Sequence, residues 1–341
     1  MKRNPMARNI LQYVFYRLLQ SILSVFGAVV IVFILSRVLP GNPAAAILGP
    51  KATPENIARV TREWGLDKSY LEQFIVYFSR LIRGDLGDSY IMGYNVSRLI
   101  AERLPASLEL VVFAFALSLV IGVTLGALAA RKHDTKLDLA LTSLSVMGFS
   151  FPTLLLGVIL LILFGVNLGL PVGGRLDARF TVKTYTGLML IDTLLNGNIN
   201  AFIDAFMRII PPALTLAIPL SGLLVKLTRN SVLEVMNQDY VRTAKMKKLP
   251  EKVIMYKHVM RNALIPIVTI AGLYFAVLVT GDVVVETIFA WPGLGRLVWE
   301  AVTLRDYMVI QGSVLLVSII YITVNLIVDT LYVYIDPRIR G

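Results

Sequence analysis

Six stretches of this chain are each long and apolar enough to cross a lipid bilayer, and this constrains its fold more than any other feature. They cover residues 18–38, 108–130, 139–166, 209–227, 263–285 and 308–334. A bilayer core takes about 20 apolar residues of helix. Lipid offers no partner for open backbone N–H and C=O groups, so each stretch must be helical. Only 16% of the residues are charged, against roughly 25% in soluble domains. The sequence therefore predicts an all-α polytopic membrane protein. Its first apolar run follows positive residues and precedes Ala44-Ala45-Ala46, as in a secretory signal. At about 20 residues it exceeds a cleavable signal's roughly 7–15, so it reads as a retained first span.

The net charge of +11 is distributed by segment. Lys2, Arg3 and Arg8 precede the first run, and Arg131, Lys132 and Lys136 separate the second from the third. Arg229, Arg242, Lys245, Lys247, Lys248, Lys252, Lys257 and Arg261 separate the fourth from the fifth, and Arg338 and Arg340 follow the sixth. Positive residues collect in cytoplasmic segments. This pattern puts both termini inside and accounts for the basic excess without nucleic acid. It divides the chain into a cytoplasmic 1–17, a first transmembrane helix 18–38, an external insertion 39–106, a five-helix core 107–335 and a cytoplasmic 336–341. The core includes the cytoplasmic loop 229–261.

The residues offer little to an enzyme. No cysteine is present, which removes disulfides and thiolate metal sites. His133 and His258 lie in basic loops with no partner at metal-ligand spacing. There is no His-Glu-x-x-His motif and no Gly-Lys pair, hence no Walker loop; nucleotide energy would have to be bound by another chain. Lys226, Asp282, Glu286 and Asp329 fall near the ends of apolar runs. No mid-run carboxylate is placed for proton or sodium coupling, which weighs against an ion-coupled secondary transporter. Pro152, Pro211-Pro212 and Pro219 predict kinks. Ser150, Pro152, Pro219 and Ser221 are candidate lining of a pathway.

The external insertion carries its own helix punctuation. Thr53-Pro54-Glu55 reads as a cap with a first-turn proline, followed by an Ile57, Val60, Trp64 stripe that ends at Gly65. Ser69 and Glu72 fit a capping box, and Leu71, Phe74, Phe78 and Ile82 continue that helix to Gly84. A structured loop of this kind is read as a docking surface for an external partner. The segment 229–265 is charged yet helically patterned. Val232, Met236, Tyr240 and Ala244 predict one helix face. After the break at Leu249-Pro250 a second helix begins, with Val253, Tyr256 and Met260 on one face. Pro250 suits a first helical position and Glu251 the positive end of the helix. Such a hairpin can receive a push from a soluble partner.

Asp239-Tyr240-Val241-Arg242-Thr243-Ala244, followed by Arg261-Asn262-Ala263-Leu264-Ile265-Pro266, resembles the coupling loop of ABC importer permeases. More narrowly, it resembles the dipeptide/oligopeptide (nickel) family. Glu286-Thr287-Ile288-Phe289-Ala290-Trp291-Pro292-Gly293-Leu294-Gly295 and Asp336-Pro337-Arg338-Ile339 match the same family. So do Gly41-Asn42-Pro43, Gly84-Asp85-Leu86-Gly87, Arg103-Leu104-Pro105-Ala106-Ser107-Leu108-Glu109-Leu110, and Thr186-Gly187 with Asp192. The motifs keep their order over nearly the whole chain, and the long first external segment is typical of the B-type subunit.

The resemblance implies the six-helix type I ABC importer permease fold. It also implies a C-type permease partner, two ATPase subunits that hold ATP and Mg, an external solute-binding protein, surrounding lipid, and no cofactor in this chain. Coupling to the ATPase is expected from Asp239, Tyr240, Arg242, Thr243, Ala244, Lys245, Lys248, Leu249 and Glu251. An outer gate or binding-protein contact is expected from Asn42, Asp85, Asp88, Asp282, Glu286 and Trp291. The family carries di- and oligopeptides, nickel complexes, glutathione and oligosaccharides. The chain departs from the family pattern at Asn42, where aspartate is common, and at Asp282, where small apolar residues are usual. It departs again at Lys248, where glycine is usual. A lysine run followed by proline reads as a helix that ends early and restarts, with Lys248 at ordinary backbone angles.

Overall fold

The computed structural model describes residues 5–38 and 43–335. Lys2, Arg3, Asn42, Arg338 and Arg340 lie outside the described residues, as do part of the Gly41-Asn42-Pro43 motif and all of Asp336-Pro337-Arg338-Ile339. The chain begins with α1 (Pro5–Val38), α2 (Pro43–Leu48), α3 (Pro54–Glu63) and α4 (Tyr70–Ile82). The core follows with α5 (Val96–Arg131), α6 (Lys136–Ser150), α7 (Thr153–Leu161), α8 (Met189–Leu195) and α9 (Ile199–Met236). After α10 (Asp239–Met246) and α11 (Glu251–Val253) come α12 (Arg261–Val279), α13 (Val283–Ile288), α14 (Leu294–Leu304) and α15 (Tyr307–Ile335). π-helical turns extend α7 through Asn167 and join α11 to α12. Among the described residues the only β pairing is an isolated bridge between Asp88 and Asn95.

α9 is the central helix. Two-thirds of its apolar window (67%) is buried, against 17% for α1, which lies at the periphery. Glycines set how closely its neighbours approach. A Cβ on Gly122 of α5 would lie 2.4 Å from Leu224, and one on Gly222 of α9 would lie 2.3 Å from the Ser145 carbonyl of α6. Small residues at such crossings let helix backbones meet where no hydrophobic force drives association. α9 stays one continuous helix through Pro211, Pro212 and Pro219.

Among the described residues five helices are long and apolar enough to span, and α6 with α7 forms a sixth, bent by 102°. The kink expected at Pro152 is thus a full break, with Phe151 ending α6 and Pro152 opening α7. The pair still joins opposite ends of the bundle. α5 and α9 run parallel, Phe113 meeting Phe206 and Gly126 facing Thr228. Asp138 at the start of α6 pairs with Arg229 near the end of α9. The chain leaving α7 reaches Glu109 near the start of α5 and Asp204 near the start of α9. The expected fifth span, 263–285, is shifted. Its helix stops at Val279, and Gly281 turns the chain at φ 85° before α13.

The insertion between α1 and α5 forms as its local signals predict. Thr53 Oγ1 accepts from the Asn56 N–H, and Ser69 and Glu72 complete a capping box. Val60 and Trp64 are buried with Leu294, Leu297, Ala301, Met308 and Val309. This face packs on α14 and the start of α15 and is not free to dock. Phe74 and Phe78 pack edge-on against Phe26 of α1, leaving Leu71 and Ile82 exposed.

Candidate coupling hairpin and outer knot

The single helix face predicted over 232–244 is broken in two. α9 ends at Met236, Asn237 caps it, and α10 starts after Gln238 with Asp239 in its first turn. Val241 and Ala244 turn inward onto Val232, Ile254, Val259 and Ala263. Ala244 is 5% exposed. It fastens the hairpin to the bundle instead of meeting a partner. The outward surface consists of Tyr240, Arg242, Thr243, Lys245, Met246, Lys248 and Leu249, with Tyr256 on the following helix. Asp239 lies 3.8 Å from Arg242, and Glu251 3.5 Å from Arg131.

Lys248 is in the left-handed region, at φ 55°. The expectation of ordinary backbone angles there is wrong, and the reason is the helix terminus. The Lys248 N–H donates to the Lys245 carbonyl and the Leu249 N–H to the Ala244 carbonyl. These two bonds form a Schellman cap, which puts the residue after the C-cap at positive φ. Pro250 opens α11 only after that cap is made. A non-glycine residue there costs about 1 kcal/mol or more. Lys248→Gly is expected to leave thermal stability unchanged or raise it by up to about 1 kcal/mol, the gain limited by glycine's freedom in the unfolded chain. A clear fall in melting temperature of the purified variant would contradict this account of the turn.

At the opposite end the Glu286–Gly295 motif ties a knot. Glu286 is 1% exposed. Its carboxylate accepts from Ser107 Oγ at 2.6 Å and from the Arg296 N–H at 2.9 Å. Ser107 in turn accepts from the Leu294 N–H. Trp291 Nε1 donates to the Ala106 carbonyl at 2.8 Å. A Cβ on Gly293 would fall 2.3 Å from the Glu286 carboxylate, so glycine is needed for this approach. Burial pushes the Glu286 carboxyl above the usual carboxylate range, against the bonds from Ser107 and the backbone. Glu286 and Trp291, expected as an outer gate or binding-protein contact, therefore hold α13 and α14 to α5 from inside. Asp282 caps α13 through the Val285 N–H. Asp85 pairs with Arg80, and Asp88 accepts from Asn95.

Of the expected pathway residues, Ser150 and Pro152 are exposed at the α6–α7 bend and Pro219 is half-buried. Ser221 is buried and donates to the Ala217 carbonyl. It presents no polar group to a pathway.

Charge pairs inside the bundle were missed in the sequence. Arg229 grips Asp138 with two bonds, 2.6 and 2.7 Å. Arg175 pairs with Glu109, whose other oxygen accepts from the Leu190 N–H. Asp192 accepts from Thr186 and Gly187; burial works to raise its pKa, but these bonds hold it below the usual value. Arg17 pairs with Asp329 at 3.2 Å. His133, expected to have no partner at metal-ligand spacing, lies 2.7 Å from Asp134 and 3.9 Å from Asp138. The Asp138 carboxylate is already paired with the Arg229 guanidinium.

Residues 122–341 match the family of binding-protein-dependent transport system inner membrane components, and residues 10–111 match the N-terminal membrane component of such systems. The chain belongs to this family. It is similar to the di/tripeptide transport system permease protein DppB of Pseudomonas aeruginosa, 39% identical over 333 residues, 97% of this chain and 99% of that one. The dipeptide transport system permease protein DppB of Haemophilus influenzae is 40% identical over 330 residues, covering 96% and 99%. That of Escherichia coli is 39% identical over 336 residues, covering 97% and 99%. This permease is thus a multi-pass inner-membrane component of a transport system. Its hairpin and its knot sit at opposite ends of the bundle.

Proposed function

We propose that this permease is one of two membrane subunits of an ATP-driven peptide importer, its hairpin seated on a cytoplasmic ATPase. The observation that carries the reading is the α10 hairpin, rooted by Val241 and Ala244 while Tyr240, Met246 and Leu249 face outward. The names of its relatives support peptide cargo. A push on α10 passes through that apolar root to α9 and α12, a rigid link between two-state elements. Both termini and the hairpin lie in the cytoplasm, as the basic segments indicate. A second, C-type permease completes the pathway, a second ATPase meets that subunit, and ATP and Mg bind to the ATPases. An external solute-binding protein delivers cargo to the outer end. An ion-coupled carrier is disfavoured, because Glu109 and Asp138 are both neutralised by arginines.

The test is uptake of labelled alanyl-alanine by the complex reconstituted in liposomes. Uptake should require ATP and the loaded binding protein. Uptake driven by an ion gradient without ATP would overturn the reading.

A further inference from the structure

A cavity of about 580 Å³ opens beside the hairpin, between the end of α9 and the start of α12. Its polar lining is Ser231, Glu234, Gln238, Tyr240, Asn262 and Thr269. This size lies within the range of small-molecule sites. Its chemistry is rich in acceptors. Glu234 is exposed and makes no ion pair with a described residue. Among the described residues the other acids on this end of the bundle have partners: Asp138 pairs with Arg229, Asp239 with Arg242, Glu251 with Arg131, Asp329 with Arg17, and Asp134 lies against His133. An unpaired carboxylate among eight basic residues of the same segment, set at a cavity wall, is placed to receive a cation. The Thr269 hydroxyl spends its proton on the Ile265 carbonyl and keeps lone pairs free.

One member of this lining belongs to the hairpin. Tyr240 stands on α10, and its hydroxyl accepts from Asn262 Nδ2 at 2.9 Å. That bond joins the coupling helix to the first turn of α12 across the cavity. Displacing α10 must therefore move a cavity wall.

We propose that this cavity is an inner station of the transport pathway, where Glu234 takes the ammonium end of a peptide and Tyr240 and Asn262 open or close it as α10 moves. The assignment rests on the peptide-importer reading and adds a site to it. The Gln238 amide and the Asn262 Oδ1, whose N–H₂ is spent on Tyr240 and the His258 carbonyl, match a peptide bond, and the carboxylate selects the free amino terminus.

The chain has no cysteine, so Thr269→Cys gives a single reporter in the cavity. In the reconstituted complex with its ATPases, a charged methanethiosulfonate reagent is applied from the cytoplasmic side. Alanyl-alanine should protect the cysteine at about a tenfold lower concentration than N-acetyl-alanyl-alanine, the worth of a charge-assisted hydrogen bond. Glu234→Gln should erase the difference between the two peptides, and Tyr240→Phe should weaken the change in labelling rate on trapping with ATP and vanadate. Equal protection by both peptides overturns the site, as does no protection in a complex that imports alanyl-alanine. Failure of the complex to import alanyl-alanine at all overturns the underlying peptide reading instead, and uptake is scored in the same preparation.

Discussion

Replacing Arg229 by methionine is expected to destabilise the permease by about 3–5 kcal/mol, because it leaves a buried carboxylate without its counter-charge. The Asp138 side chain is 5% exposed and accepts both guanidinium bonds, with further bonds from the Asp134 N–H and the Thr142 hydroxyl. Together they fasten α6 to α9 at the hairpin end of the bundle. Removing both charges, as Asp138→Leu with Arg229→Met, should recover part of the loss, since no buried charge is left unpaired and only the Asp134 N–H and the Thr142 hydroxyl lose an acceptor. Thermal unfolding of the purified variants checks this. A double variant as unstable as Arg229→Met alone would show that the helices need the charges for more than mutual neutralisation.

Glu286→Ala should rank with it, at about 3–5 kcal/mol, because the Ser107 hydroxyl and the Arg296 N–H both lose their acceptor inside the knot. Glu286→Gln keeps the shape but turns an amide N–H₂ toward one of those donors, and should cost about 1–3 kcal/mol. A pH dependence follows from burial. The folded carboxyl titrates above its ordinary value, so the folded state holds a proton that the unfolded chain has lost. The stability Glu286 contributes is complete below the unfolded pKa and is lost as pH rises through the folded one. Melting temperatures of the parent and Glu286→Gln, followed upward from acid pH, should converge as the parent declines. Parallel curves would contradict the assignment of that proton to Glu286.

What the sequence discloses about this molecule is mostly local. The caps at Thr53 and Ser69 form between residues three apart, and both were legible because a few neighbouring side chains determine them. The apolar runs were legible because lipid enforces helix over any stretch of that length. The ion pairs were not: Arg229 finds Asp138 across 91 positions, and Arg175 finds Glu109 across 66. In the sequence Arg229 is one basic residue among eight. Ala244 fits the helical spacing of its neighbours, yet α9 ends at Met236, so the actual face is set by two helices and not one. Lys248 misled for a related reason. Its residue type argues against positive φ, but the Schellman bonds of α10 and the packing of Val241 and Ala244 fix the turn and override that preference. The Glu286 motif was visible as a resemblance, while its inward direction depends on Ser107, which lies on another helix.

The reading as a coupled permease stands or falls on what the hairpin touches. Met246 is 75% exposed on α10, and Tyr70 is 71% exposed on the insertion at the other end of the bundle. Single-cysteine variants at these two positions, each carrying a benzophenone photo-cross-linker, can be irradiated in the assembled complex. The account predicts an adduct with the ATPase from position 246 and none from position 70. A complex that hydrolyses ATP in response to the loaded binding protein, yet gives no ATPase adduct at position 246, would contradict it.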